Sequence, residues 1–431
     1  MEIICESIEP PKNTMGITFS FFLFGLTSLL VWNSIVTEFE FFQTFIKLDP
    51  FSYFPFLNSF PNITLQFILL YKKDLFKLKK QLITGLIASI ILIIVIPSAA
   101  IFLEKYDIFL NIIMIILILI MGLVNAILSS GFFAFSGFFP LEMIIAFSTG
   151  QGFSGIIMNI IKYIIIYTSK NINKKSGEII GAMAVFGITE VILFICLLVL
   201  LSSIKNYYFD FFLNRLYDNE EIGRITGKTD DEKDKEKDEE KDENNSERLI
   251  AKPQKMTFCE MFKLIVDIDL LCAFIYIITF AVYPVAFEGQ KIFSKRVEIY
   301  NFNTILTIYN IFDTLGRYLV SKVTPTKKNT YISVLSRVVL IITILYNYYL
   351  QTHNKIITFS IILLIINDAL LALTNGIGTT LCYGIAPNLV NNDLKGQAGA
   401  SVSFFTVLGI FIGSIIAIFT KEVLKKIGEN Y

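Results

Sequence analysis

Between residues 298 and 321 lies an apolar run in which Asn310, Asp313 and Arg317 follow one another at intervals of three and four. At about 100° per residue that spacing puts all three on one face of a helix, and Asn303 and Thr307 extend the same stripe. An acid and a base four residues apart on a helix can pair. Once paired they keep spare lone pairs and N–H donors, which suit a neutral polyhydroxylated ligand. The carboxylate accepts from hydroxyls and the guanidinium donates to oxygens. The same pair could instead only tie helices together, or clamp a helix end, since Arg317 stands about a turn from the end of its run.

Charged side chains are expensive in hydrocarbon, at about 2.5–3.5 kcal/mol on the gentler scales, so each one inside an apolar run is a candidate for function. Glu190 in GITEVILF and Asp368 in LLIINDALLAL are two more, with Asn375 and Thr379 at helical spacing from Asp368. Buried carboxyls can carry protons, so both are candidates for proton linkage; a neighbouring helix could equally satisfy them. Trp32, the single tryptophan, is followed by Asn33 in the first run. It can anchor at the interface or stack on a flat ring. Gly150, Gly152 and Gly155 cluster in FSTGQGFSG, where small residues allow backbones to approach, and Gly409 and Gly413 repeat the spacing in the last run. Tyr283-Pro284 interrupts the run 259–286, where a proline frees a carbonyl and permits a kink. These are candidates for gating or packing.

The elements that must position these residues follow from hydropathy. Of 431 residues 54% are apolar and 17% charged, and the mean hydropathy is +0.64. A soluble domain is nearer 45–50% apolar with about a quarter charged. A bilayer core needs about 20 apolar residues per helix. Such runs fall at about 15–37, 51–71, 82–103, 107–138, 142–168, 177–203, 259–286, 298–321, 329–351, 356–386 and 397–420. The expected fold is therefore an all-α polytopic membrane protein of eleven transmembrane helices. Six lie in an N-terminal half (1–203) and five in a C-terminal half (259–431). Between them, 204–258 is centred on KTDDEKDKEKDEEKDENNSER, alternating charge that cannot bury a core and is expected to be a disordered linker. That segment carries eleven Lys and Arg, and Tyr71–Gln81 carries five Lys. The positive-inside rule then puts the N-terminus and the linker in the cytoplasm and the C-terminus on the opposite side.

Several classes drop out. Lys+Arg and Asp+Glu are both 37, so no basic field points to nucleic acid. One histidine, His353, and five cysteines without CxxC spacing assemble no zinc site, and Cys196, Cys272 and Cys382 are expected to be buried as small hydrophobes. No HExxH or GxSxG suggests an enzyme, and no GxxxxGK[ST] suggests ATP-driven pumping. No cofactor and no obligate protein partner are expected.

Taken in order, the motifs resemble those of the equilibrative nucleoside transporter family. GLTSLLVWNS (Gly25 to Ser34) is similar to that family's first-helix segment, with Val31 where the family has proline. NAILSSGFFAFSGFFPLEMIIAFSTGQGFSG resembles its Gly-rich fourth helix and its fifth-helix signature. Tyr283-Pro284 stands where the family has Phe-Pro, and YNIFDTLGR is close to its F-N-x-x-D-x-x-G-R. LTNGIGTTLCYGIAPNLV and GQAGASVSFF resemble its last two helices. The resemblance implies a pseudo-symmetric 6+5, major-facilitator-like bundle that moves nucleosides or nucleobases, purines favoured, by facilitated alternating access. The plasma membrane is the favoured site. It implies ribose contacts from Asp313 and Arg317, with Asn310 beside them, and a Trp32 near the base. A family glutamine that meets the base falls here on Ser129, too short for a bidentate amide contact. Glu190 and Asp368 match no family position and leave room for a proton-coupled cycle. A major-facilitator carrier of another polar solute, such as a sugar, is the alternative. It lacks support because Tyr71–Gln81 has neither the glycine nor the arginine of that superfamily's loop signature.

Overall fold

The computed structural model describes residues 14–72, 77–168, 174–213, 256–283, 301–323, 325–352 and 357–429. His353, Pro284 and the charged centre of the 204–258 segment lie outside them. Among the described residues every expected apolar run is a helix. They are α1 (Met15–Thr37), α3 (Pro50–Tyr71), α4 (Leu78–Phe102), α5 (Asp107–Gly137), α6 (Leu141–Thr168), α7 (Lys174–Ser203), α8 (Phe258–Val282), α9 (Asn301–Leu319), α10 (Lys327–Thr352), α11 (Ile357–Asn388) and α12 (Lys395–Glu429). A short helix not expected from hydropathy, α2 (Phe39–Phe45), follows α1.

Local chemistry sets the ends. Asp49 caps α3 by accepting from the Phe51 amide at 3.2 Å, with Pro50 preorganised at the first position. Thr257 and Glu260 form a reciprocal capping box that starts α8. The α8 helix ends at Val282, short of the expected 286. Tyr283 takes extended dihedrals (φ −102°, ψ 132°), as the residue before a proline must to avoid its ring. Pro284 and the residues where a kink would show lie outside the described residues.

Nine of the described helices are long and apolar enough to cross a membrane. The two long helices outside that set, α3 and α9, are those whose inner faces carry the polar residues: Asn58, Asn62 and Gln66 on one, Asn310, Asp313 and Arg317 on the other. The outward faces of α4, α5, α7 and α10 expose Ile91, Ile116, Phe194 and Ile342, as a lipid-facing surface requires.

Ion pairs fix which ends meet. Lys47 ahead of α3 pairs with Asp107 at the start of α5 at 2.7 Å, and Lys175 at the start of α7 pairs with Glu104 beyond α4. Deeper in, Lys162 near the end of α6 meets Glu38 beyond α1 at 3.0 Å and Glu178 of α7 at 3.3 Å, all largely buried. At the opposite end, Gly137 closing α5 lies on the Lys395 backbone opening α12, and Lys327 opening α10 pairs with Asp267 of α8 at 2.7 Å. The chain thus runs up and down. Within the bundle α1 packs on α6 and α7, α3 on α5, α4 on α5 and α7, α8 on α12, and α9 on α11, while α6–α9, α3–α12 and α5–α12 join the two groups.

The expected linker begins too early. Residues 207–213 are helical, and Tyr208, Phe209 and Leu213 are buried. Phe209 stacks on Phe21 (centroids 5.6 Å apart) and Phe135 (5.8 Å), because YYFDFFL is aromatic rather than charged. Its contact with Phe21 puts residues 207–213 at the same end of the bundle as the start of α1.

Small residues allow the closest crossings. A Cβ at Gly25 would strike the Phe147 carbonyl of α6, and one at Gly150 the Phe22 carbonyl of α1. Gly409 and Gly413 lie in the same way on α8, against Ala273 and Ile277. Gly25→Ala should therefore separate α1 from α6 at a cost of about 1–3 kcal/mol. A melting temperature several degrees lower in detergent is expected, and an unchanged one would contradict this packing.

Candidate functional site

Apolar walls and a polar floor enclose a cavity of about 200 Å³ between the two helix groups. Its lining runs from Phe39 and Tyr283, at the end where α1 and α8 stop, inward to Gln151, Arg317 and Tyr383. It therefore reaches toward the end of the bundle away from residues 207–213 and the start of α1.

The floor is built around α9. Arg317 Nε donates to Asp313 Oδ2 at 2.7 Å, so the i,i+4 pair read from spacing forms. Arg317 is 3% exposed and Asp313 5%. Their remaining groups are met from other helices. Arg317 Nη1 donates to the Ser148 hydroxyl and to Gln151 Oε1 of α6, each at 3.1 Å. Gln151 Nε2 in turn donates to the Ser28 hydroxyl of α1 at 3.1 Å. On the other side Asn375 Nδ2 of α11 donates to Asp313 Oδ1 at 2.7 Å. Asn375 Oδ1 accepts from the Thr279 hydroxyl of α8 at 2.9 Å, and that hydroxyl accepts from Arg337 of α10. One hydrogen-bonded chain thus links α1, α6, α9, α11, α8 and α10.

Two glycines let α9 reach α6. A Cβ at Gly155 would fall on the Asn310 amide, and one at Gly152 on Thr314 and the Arg317 stem. Of the glycines singled out in the sequence, Gly152 and Gly155 therefore seat the α9 polar face, whereas Gly150 packs α6 on α1. The Asn310 amide lines the cavity with no hydrogen bond to another side chain among the described residues.

Trp32 lines the cavity, edge-on to Phe39 with centroids 6.3 Å apart. Tyr283 lines it too, stacked on Tyr309 at 4.4 Å. Ser129 is present on the α5 wall, but its hydroxyl donates to the Asn125 carbonyl at 2.6 Å and accepts from Gln66 at 3.0 Å. Glu190 does not line the cavity; it lies half-buried on α7. Asp368 does not line it either, and is 1% exposed with neither carboxyl oxygen hydrogen-bonded among the described residues. Cys196, Cys272 and Cys382 are buried, as expected of small hydrophobes.

Sequence reasoning missed Gln151, Ser148, Thr279 and Arg337 as members of the floor, and it grouped Asn375 with Asp368 rather than with Asp313. Arg337 carried the same signal as Arg317, a lone guanidinium in an apolar run. Gln151, Ser148 and Thr279 carried none that separates them from ordinary polar residues in helices.

Comparison with known proteins decides the family. A family model described as nucleoside transporter matches residues 112–422. The chain belongs to the nucleoside transporter family. As a member it is an integral, multi-pass membrane carrier rather than an enzyme. It is 25% identical to the nucleoside transporter FUN26 of Saccharomyces cerevisiae over 443 residues, covering 94% of this chain and 84% of that one. Among solved structures it is similar to the proton:xylose symporter XylE of the major facilitator superfamily bound to 6-bromo-6-deoxy-D-glucose (TM-score 0.58, 12% identity, 96% and 94% of the two chains). It is also similar to the human organic anion transporter MFSD10 (TM-score 0.58, 10% identity, 97% of each). At those identities the likeness shows the helical fold.

Proposed function

We propose that the protein moves nucleosides, purine nucleosides foremost, and nucleobases across the plasma membrane by facilitated alternating access. Its ribose contacts come from Asp313, Arg317 and Asn310, and its base contact from Trp32. In this reading all eleven long helices cross the bilayer as a pseudo-symmetric bundle of six and five. The N-terminus and the charged segment are cytoplasmic and the C-terminus is outside. Polar inner faces explain why α3 and α9 look too hydrophilic to span.

The observation that carries the reading is the floor of the cavity. A paired carboxylate and guanidinium, oriented from α6 and α11, sit beside an Asn310 amide that makes no side-chain hydrogen bond of its own among the described residues. Those groups suit a sugar with several hydroxyls, and the aromatic wall suits a flat ring. The cavity opens away from the start of α1 and residues 207–213, so with the N-terminus cytoplasmic this conformation faces outward. Arg317 closes it toward the cytoplasm by bonding to α6. Opening on the other side requires the two helix groups to rock about the bound substrate, with α9 leaving Ser148 and Gln151.

Arg317→Ala should abolish saturable nucleoside uptake while the protein still reaches the membrane. Arg317→Lys, which keeps charge without the planar fork, should retain a small residual rate. Uptake by Arg317→Ala at the wild-type rate would remove Arg317 from the site.

A proton-coupled cycle is the second reading, favoured by Asp368, whose buried oxygens are unpaired among the described residues. If it holds, acid outside stimulates wild-type uptake several-fold, and Asp368→Asn loses the stimulation while keeping the neutral-pH rate. Uptake indifferent to external pH would leave Asp368 a structural residue.

A further inference from the structure

A second set of polar side chains faces the same cavity from α3 and α5: Asn58, Asn62, Asn125 and Ser129. Their hydrogen bonds do not close on themselves. Asn125 Nδ2 donates to Asn58 Oδ1 at 2.9 Å, and Gln66 Nε2 donates to Asn62 Oδ1 at 2.8 Å. Ser129 spends its one proton on the Asn125 carbonyl. Among the described residues this leaves Asn58 Nδ2, Asn62 Nδ2 and Asn125 Oδ1 without a protein partner. Amide groups left unmet inside a membrane bundle are costly unless water or a ligand meets them. Asn58 Nδ2 and Asn125 Oδ1 belong to two cavity-lining amides joined by a hydrogen bond, so a spare donor and a spare acceptor sit on neighbouring groups.

We propose that Asn58 and Asn125, with Asn62 beside them, form the base-reading subsite of this carrier, selecting purines that carry an adjacent donor and acceptor at their six-membered ring. The proposal rests on the nucleoside-carrier reading and adds the chemistry of the base. For a 6-oxopurine, O6 accepts from Asn58 Nδ2 and N1–H donates to Asn125 Oδ1. For a 6-aminopurine in the same pose the two joined amides turn over together: the exocyclic amine donates to Asn58 Oδ1 and N1 accepts from Asn125 Nδ2, while Asn58 Nδ2 donates to Asn125 Oδ1. Both classes therefore bind with two hydrogen bonds each, which a single fixed donor or acceptor would not allow. A purine with hydrogen at position 6 offers an acceptor at N1 but no donor, and leaves the Asn58 oxygen desolvated and unpaired. Ser129, whose only donor is committed, is a support of this subsite through Gln66 rather than a reader of the base.

The test compares three ribosides that differ only at position 6 (inosine, adenosine and purine riboside) as labelled substrates of the full chain in liposomes. Wild-type protein should show a KM for purine riboside roughly tenfold above the other two, the cost of one unpaired buried group. In Asn58→Ala/Asn125→Ala the three KM values should converge. The convergence is a readout that general destabilisation would not produce. If that double variant fails to fold, Asn125→Ser carries the same comparison. A wild type without discrimination, or a folded variant that keeps the tenfold ratio, overturns the subsite while leaving the carrier intact. No saturable uptake of any riboside by the wild type overturns both.

Discussion

A guanidinium inside a membrane bundle must be surrounded by acceptors drawn from several helices, and Arg317 is the point where that demand is met. Asp313 neutralises it on the same helix, Ser148 and Gln151 accept from α6, and Asn375 holds the far oxygen of Asp313 from α11. Removing one partner of such a buried pair typically costs 3–5 kcal/mol, because the other charge is left uncompensated. The positions of α6, α9 and α11 relative to one another are therefore tied to a single side chain. That side chain also closes the cavity floor.

The demand explains the glycines. Polar contacts of about 3 Å between helix faces require backbones close enough for short side chains to meet, and Gly152 and Gly155 provide that approach on α6. Gly316 and Gly376 provide it between α9 and α11, where a Cβ would meet the Leu373 and Asp313 carbonyls. A carrier also has to release its floor. Hydrogen bonds from Arg317 to a hydroxyl and an amide oxygen part at smaller cost than a charge pair, whereas a cross-helix carboxylate would hold the two groups shut. The covalently local acid, Asp313, travels with α9.

Much of this was legible in the sequence because membrane helices leave few options. Apolar runs placed every long helix, and the Asp313–Arg317 spacing alone gave the pair. Tyr283-Pro284 was visible as an interruption, but hydropathy runs smoothly through it and set the helix end at 286, whereas the proline dictates extended backbone at Tyr283. Residues 207–213 escaped because they adjoin a charged block, although their aromatic composition belongs with the bundle. Asn375 was visible as a polar residue, but its helical register linked it to Asp368; only the crossing of α9 and α11 turns it toward Asp313. Asn58 and Asn125 gave no signal, since their significance lies in a hydrogen bond between helices 67 residues apart in sequence.

The most direct test is an experimental structure of the purified carrier with inosine bound. Ribose hydroxyls are expected within hydrogen-bonding distance of Asp313 and Arg317, with the purine ring beside Trp32. Inosine bound elsewhere, or seated in the cavity with its ribose away from the Asp313–Arg317 pair, would contradict this placement.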